Sequence, residues 1–129
     1  MNLYMYQPPE GEAPLLVFLR LLEPKLCRKM EYGLSLLSRG ILPFREPHVK
    51  HFQNSRYADF FEYRQRMRIC ARIIFTLDAS GNMILLQPFL KRHDRDTMRA
   101  LEASAQLLQS IRAEPALLAE YHPQGGNHM

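Results

Sequence analysis

Arg68-Ile69-Cys70-Ala71-Arg72-Ile73-Ile74-Phe75-Thr76-Leu77 decides how this chain must fold, because its residues change character with a period of two. Ile69, Ala71, Ile73, Phe75 and Leu77 fall on one side of an extended backbone. Arg68 and Arg72 fall on the other, with Cys70, Ile74 and Thr76. Such a stretch is a strand with one side on a core and two arginines on the opposite side. Just before it, Phe60-Phe61-Glu62-Tyr63-Arg64 places Phe61 and Tyr63 on one side and Glu62 and Arg64 on the other, a second strand. Just after it, Asp78-Ala79-Ser80-Gly81-Asn82 has the composition of a hairpin connection. Met83-Ile84-Leu85-Leu86, apolar on both sides, then predicts a central strand.

Outward from these strands the period changes to that of helices. A last helix is expected from Asp94 or Asp96, either a competent N-cap, with Met98, Leu101, Ala105, Leu108 and Ile111 on one stripe. Upstream, Leu3-Tyr4-Met5-Tyr6 reads as a short strand ended by Pro8-Pro9. A helix follows from about Glu12, with Leu15, Phe18, Leu19 and Leu22 on one face, and Pro24 stops it. Leu26, Met30, Leu34 and Leu37 then define a second helix, with Gly40 placed as its C-terminal left-handed residue. The stretch from Ile41 to Ser55 is expected to be a connecting loop. The order strand, helix, helix, three strands, helix predicts an α+β fold: a twisted antiparallel sheet with two N-terminal helices on one face and a C-terminal helix. The other face is expected to be open to a ligand, with Arg68 and Arg72 on it.

The 129 residues suit one domain, expected over 1–120, with a flexible tail over 121–129. Apolar types make up 47% and charged types 23%, which excludes a disordered chain and predicts a sizeable core. The longest apolar run, Leu15 to Leu19, is far short of the roughly 20 residues of a membrane span. No secretory leader is read at the start, so the cytoplasm is the expected location. Cys27 and Cys70 lack the spacing of a zinc site and read as reduced, buried, small apolar residues. The net charge of +4 is concentrated. Between Arg45 and Arg72 lie seven basic residues (Arg45, Lys50, Arg56, Arg64, Arg66, Arg68, Arg72) against three acidic ones, an excess equal to that of the whole chain. Phosphate is the partner such a stretch suits, although a solvated basic face has the same composition.

Taken in series, Phe60-Phe61-Glu62-Tyr63-Arg64, then Arg72-Ile73-Ile74-Phe75, then Ile84-Leu85-Leu86-Gln87-Pro88-Phe89-Leu90-Lys91-Arg92 resembles the phage-related, HigB-like branch of the RelE/HigB toxin superfamily. The similarity runs from about Leu15 to Leu108 and includes a loop after Gly40 that ends in His48-Val49-Lys50. Tyr63 replaces the leucine of that branch's Glu-Leu-Arg strand, Arg92 replaces the second lysine of a Lys-Lys pair, and a threonine-proline step is missing. The first two changes keep the chemistry. The resemblance implies cleavage of mRNA on the ribosome by a toxin that a cognate antitoxin restrains, with no cofactor and no metal. Residue by residue, it points to Arg64, Arg72, Lys91, Arg92 and His93 as catalytic, and more weakly to Lys50. Arg66 and Arg68 join Lys50 as candidates for RNA binding.

Those residue types suit RNA cleavage by the 2′-hydroxyl, which attacks the adjacent phosphorus and expels the 5′-oxygen. The reaction asks for a base, an acid and positive charge on the phosphorane. Arginine stays charged and offers a fork of donors to phosphate oxygens. His93 is of the type best suited to exchange a proton near neutrality, whereas Lys91 does so only when crowded by other cations. Arg64 has alternatives as an ion-pair partner of Glu62 or Asp59, and Arg66 or Arg68 competes as the phosphate ligand. His48 and His51 lack the companions of a metal site. Arg72→Ala is expected to remove activity with little effect on stability. Two other readings fit the same sequence: a ParE-like toxin that binds a topoisomerase without cutting, and an inactive phage-derived binding module. A neighbouring gene for a helix-turn-helix protein would favour the toxins.

Overall fold

The computed structural model describes residues 1–124, and the last five residues of the expected tail lie outside the described ones. The fold is α+β. Strand β1 (Leu3–Tyr6) leads to helices α1 (Pro14–Leu21) and α2 (Pro24–Ser38). Then come β2 (Val49–His51), β3 (Phe61–Arg66), β4 (Cys70–Leu77), β5 (Met83–Lys91), α3 (Asp94–Ala113) and β6 (Leu118–Glu120). The strands form one sheet in the order β2-β3-β4-β5-β1-β6. All neighbours are antiparallel except β1 and β5, which run parallel from the pair Leu3 and Met83.

Both faces of the sheet are covered, by different helices. Leu15 and Leu19 of α1 and Leu26, Met30, Leu34 and Leu37 of α2 pack with Tyr63, Ala71, Ile73, Phe75 and Leu85. Ala100, Leu101, Leu108 and Ile111 of α3 pack on the opposite face with Ile74, Ile84 and Leu86. This corrects the expectation of one wholly open face: an amphipathic stripe shows that a helix buries one side, but not which side of the sheet receives it. α3 starts at Asp94, as expected, but its N-cap is His93 rather than Asp94 or Asp96, and Asp96 stands in the third helical position. The Asp96 carboxylate accepts hydrogen bonds from the backbone N–H groups of Arg92 (2.9 Å) and His93 (2.8 Å). These bonds hold that carboxyl below its usual range, as suits a helix start.

Five further expectations change. The loop from Ile41 to Ser55 contains β2, and β6 follows α3. Tyr121, assigned to the tail, is buried, and its hydroxyl donates to Glu31 at 3.1 Å. The long strand begins at Cys70 rather than Arg68, so Arg68 and Ile69 lie in the β3–β4 turn. Cys27 and Cys70 are free but only half-buried.

α2 crosses β3 at Gly33, where the Tyr63 hydroxyl donates to the Met30 carbonyl (2.8 Å) and accepts from Gln65 Nε2 (3.0 Å). Burial pushes the Tyr63 hydroxyl's pKa up, so it remains a donor. A methyl on Gly33 would overlap that hydroxyl. Gly33→Ala is therefore expected to cost about 1–3 kcal/mol by overpacking, against a helix-propensity gain of up to about 1 kcal/mol. Thermal unfolding checks it: Tyr63→Phe, which removes the obstructing oxygen, should restore part of the loss. A Gly33→Ala protein as stable as the parent would rule out the close crossing.

Candidate functional site

The register of the sheet collects the polar residues of four strands on the face that α3 covers in part. Lys50, Glu62, Ile74 and Gln87 form one cross-strand row, with Ile74 under α3. The next row is Arg64, Arg72 and Phe89, and the one beyond it Arg66, Cys70 and Lys91. Apart from Phe89 at its edge, the α3 core does not extend into these two rows. A cleft of about 300 Å³ opens at the end of these rows and reaches round to the α2 side of the sheet, lined by Lys29, Pro47, His48, Arg64, Gln65, Arg66, Cys70 and Arg72. Four of its walls are cationic and none is a carboxylate.

The arginines are held from below. Glu62, 1% exposed, lies on the same side of β3 as Arg64. Its Oε1 accepts from Arg64 Nε and from Arg72 Nη1, both at 2.8 Å. Arg64 also reaches the exposed Glu46 at 3.3 Å, a contact that solvent weakens. Glu62 Oε2 and Arg72 Nε are buried and have no hydrogen-bond partner among the described residues. Of the two partners expected for Arg64, the structure selects Glu62; Asp59 is exposed and its carbonyl accepts from Thr76 instead.

The other predicted residues fall in five places. Arg66 lines the cleft, and its backbone carbonyl accepts from Lys29 Nζ at 2.9 Å. Lys91 is next to the cleft, across from Cys70, and its Nζ approaches Asp94 at 3.4 Å. Arg92 and His93 follow as exposed residues at the start of α3 and do not line the cleft. Lys50 shares the row of Glu62, with its Nζ 5.5 Å from the centre of the Phe52 ring. Arg68 is corrected: it lines a separate apolar groove with Leu21, Leu22, Met67, Ile69 and Leu90. It is not a companion of Arg72, because the chain turns before the strand begins.

Two residues carry more weight than the sequence suggested. His48, to which the sequence assigns no catalytic role, lines the cleft beside Arg64 and Arg72, and its carbonyl accepts from the Arg64 backbone N–H at 2.8 Å. Lys29 comes from α2, and helical spacing offered no signal for it. Among the described residues no three His, Cys, Asp or Glu side chains converge as a metal-binding group. The expectation that Arg72 is a freely exposed charge is also overturned: its side chain is 14% exposed and bonded to Glu62. No protein-family model matches the chain, and no curated protein matches it. No helix among the described residues is long and apolar enough to cross a membrane.

Proposed function

We propose that this chain is a ribosome-dependent endoribonuclease toxin that cuts mRNA by attack of the 2′-hydroxyl. The single observation that carries the reading is the cleft in which Arg64, Arg66, Arg72 and Lys29 meet His48 with no lining carboxylate. Guanidinium groups hold the non-bridging phosphate oxygens and stabilise the charge that develops on them. His48 in the same cleft supplies a group able to transfer a proton. Lys91, at the rim, adds positive charge. A cognate antitoxin keeps the toxin silent in the cytoplasm, and the decoding site of the ribosome presents the mRNA.

The test is induced expression with and without the neighbouring gene, followed by mapping of mRNA 5′ ends. Cuts confined to translated regions are the expected result. Growth arrest without new 5′ ends, accompanied by inhibited supercoiling, would replace this reading with a topoisomerase-directed toxin. No arrest and no cuts would leave a binding module. Cleavage is also expected to persist in EDTA, because the nucleophile belongs to the RNA and the acid–base groups to the protein. Loss of cleavage in chelator, restored by manganese and with ribosomes shown to be intact, would overturn the mechanism.

A further inference from the structure

Glu62 is buried beneath the cleft, carries the charge opposite to that of the cleft, and has no part in the chemistry just proposed. Its geometry is unlike that of an ordinary structural ion pair. A carboxylate that only stabilises a fold is best served by a fork, with two oxygens on two donors of one guanidinium. Here one oxygen, Oε1, receives a donor from each of two arginines, while Oε2 and Arg72 Nε are left without partners. The register explains the sharing. Arg64 and Arg72 are direct partners across β3 and β4, and like charges in that relation repel. Glu62 stands one row away on the same side, where its Oε1 meets both guanidiniums. No hydrogen bond within the described residues uses Nη2 of either arginine, so each keeps donors for a ligand.

We propose that Glu62 is a positioning residue, which clamps Arg64 and Arg72 side by side so that their remaining N–H groups converge on one phosphate. This rests on the reading of the cleft as a phosphate site. Glu62 also offsets one of the two positive charges, so it weakens overall attraction for RNA while fixing where the guanidiniums point. Binding and cleavage therefore respond to it in opposite directions.

The experiment compares the parent protein with Glu62→Gln, which removes the charge, and Glu62→Asp, which keeps the charge but shortens the reach. Binding is measured with a single-stranded RNA oligonucleotide carrying 2′-deoxy substitutions, which cannot be cut, over a salt series. Cleavage is measured on ribosome-bound mRNA. Glu62→Gln is expected to lower the maximal cleavage rate at least tenfold without weakening binding. The slope of log K against log salt should steepen by about 0.7, the contribution of one additional charge on a single strand. Glu62→Asp should lower the rate similarly with the slope unchanged. Unchanged cleavage in both variants, or binding and cleavage falling together in folded protein, overturns the proposal; should Glu62→Gln not fold, Glu62→Asp decides alone. If the parent binds the oligonucleotide but cuts nothing, the nuclease reading fails, and Glu62 is judged from the arginine Nε–H resonances in NMR spectra. The Arg64 and Arg72 signals should then shift together on binding in the parent and separately in Glu62→Asp. Identical behaviour in the two proteins overturns the proposal, as does failure of the parent to bind.

Discussion

Arg72→Ala is expected to destabilise the protein by about 3 kcal/mol, the low end of the range for breaking a buried ion pair. The arginine side chain is 14% exposed, and its Nη1 donates to a carboxylate that is 1% exposed. Removing it leaves Glu62 with Arg64 alone, and that remaining bond keeps the loss from being larger. The consequence for any activity assay is direct. A loss of toxicity in Arg72→Ala mixes a missing phosphate ligand with a smaller folded fraction. Arg72→Lys keeps the charge and is the better probe of the fork of donors. Urea unfolding followed by circular dichroism measures the effect, and Glu62→Gln in the Arg72→Ala background should cost less than Glu62→Gln alone. A loss below about 1 kcal/mol, as for an ordinary surface substitution, would mean that the Glu62 cluster is more solvated than its geometry requires.

His48→Gln is expected to lower cleavage about 10²-fold, the usual contribution of a positioned acid or base. His93→Gln should cost clearly less. Both are histidines near cations, and the difference is place: His48 lines the cleft with Arg64 and Arg72, whereas His93 is the exposed N-cap of α3. Lys91 is separated from both roles by Lys91→Arg, which keeps the charge but does not release a proton at working pH. Retained activity assigns Lys91 to electrostatics. The pH profile of single-turnover cleavage should differ between the parent and His48→Gln and be the same in the parent and His93→Gln. A silent His48→Gln together with a hundredfold loss in His93→Gln would return the acid–base role to the end of β5.

The elements with a long repeating pattern were legible in the sequence. Ala71, Ile73 and Phe75 share the face their alternation predicts, and Leu26, Met30, Leu34 and Leu37 form the buried side of α2. The short edge strands were not: Val49–His51 and Leu118–Glu120 are three residues each, too few to show a period of two. Ile69 failed for a different reason. It continues the apolar alternation past the start of β4, into a turn that the alternation does not mark. The site was half legible. Arg64 and Arg72 were found from strand alternation and resemblance, but their meeting at Glu62 depends on pairing register, which no single strand encodes. His48 was missed because its neighbourhood is built from residues far away in the chain.

The position of β1 sets an order in time. Of the six strands it is the first in the chain, yet its partners are β5, reached 80 residues later through the pair Leu3 and Met83, and β6, reached through Tyr4 and Glu120. A nascent chain can assemble β3 with β4 and then β5 as each hairpin emerges. The N-terminal strand must wait for two closures of long sequence separation, which are the slow events of folding. Completion of the sheet thus waits for β6, so the place of β1 between β5 and β6 is filled only after every other strand has been made.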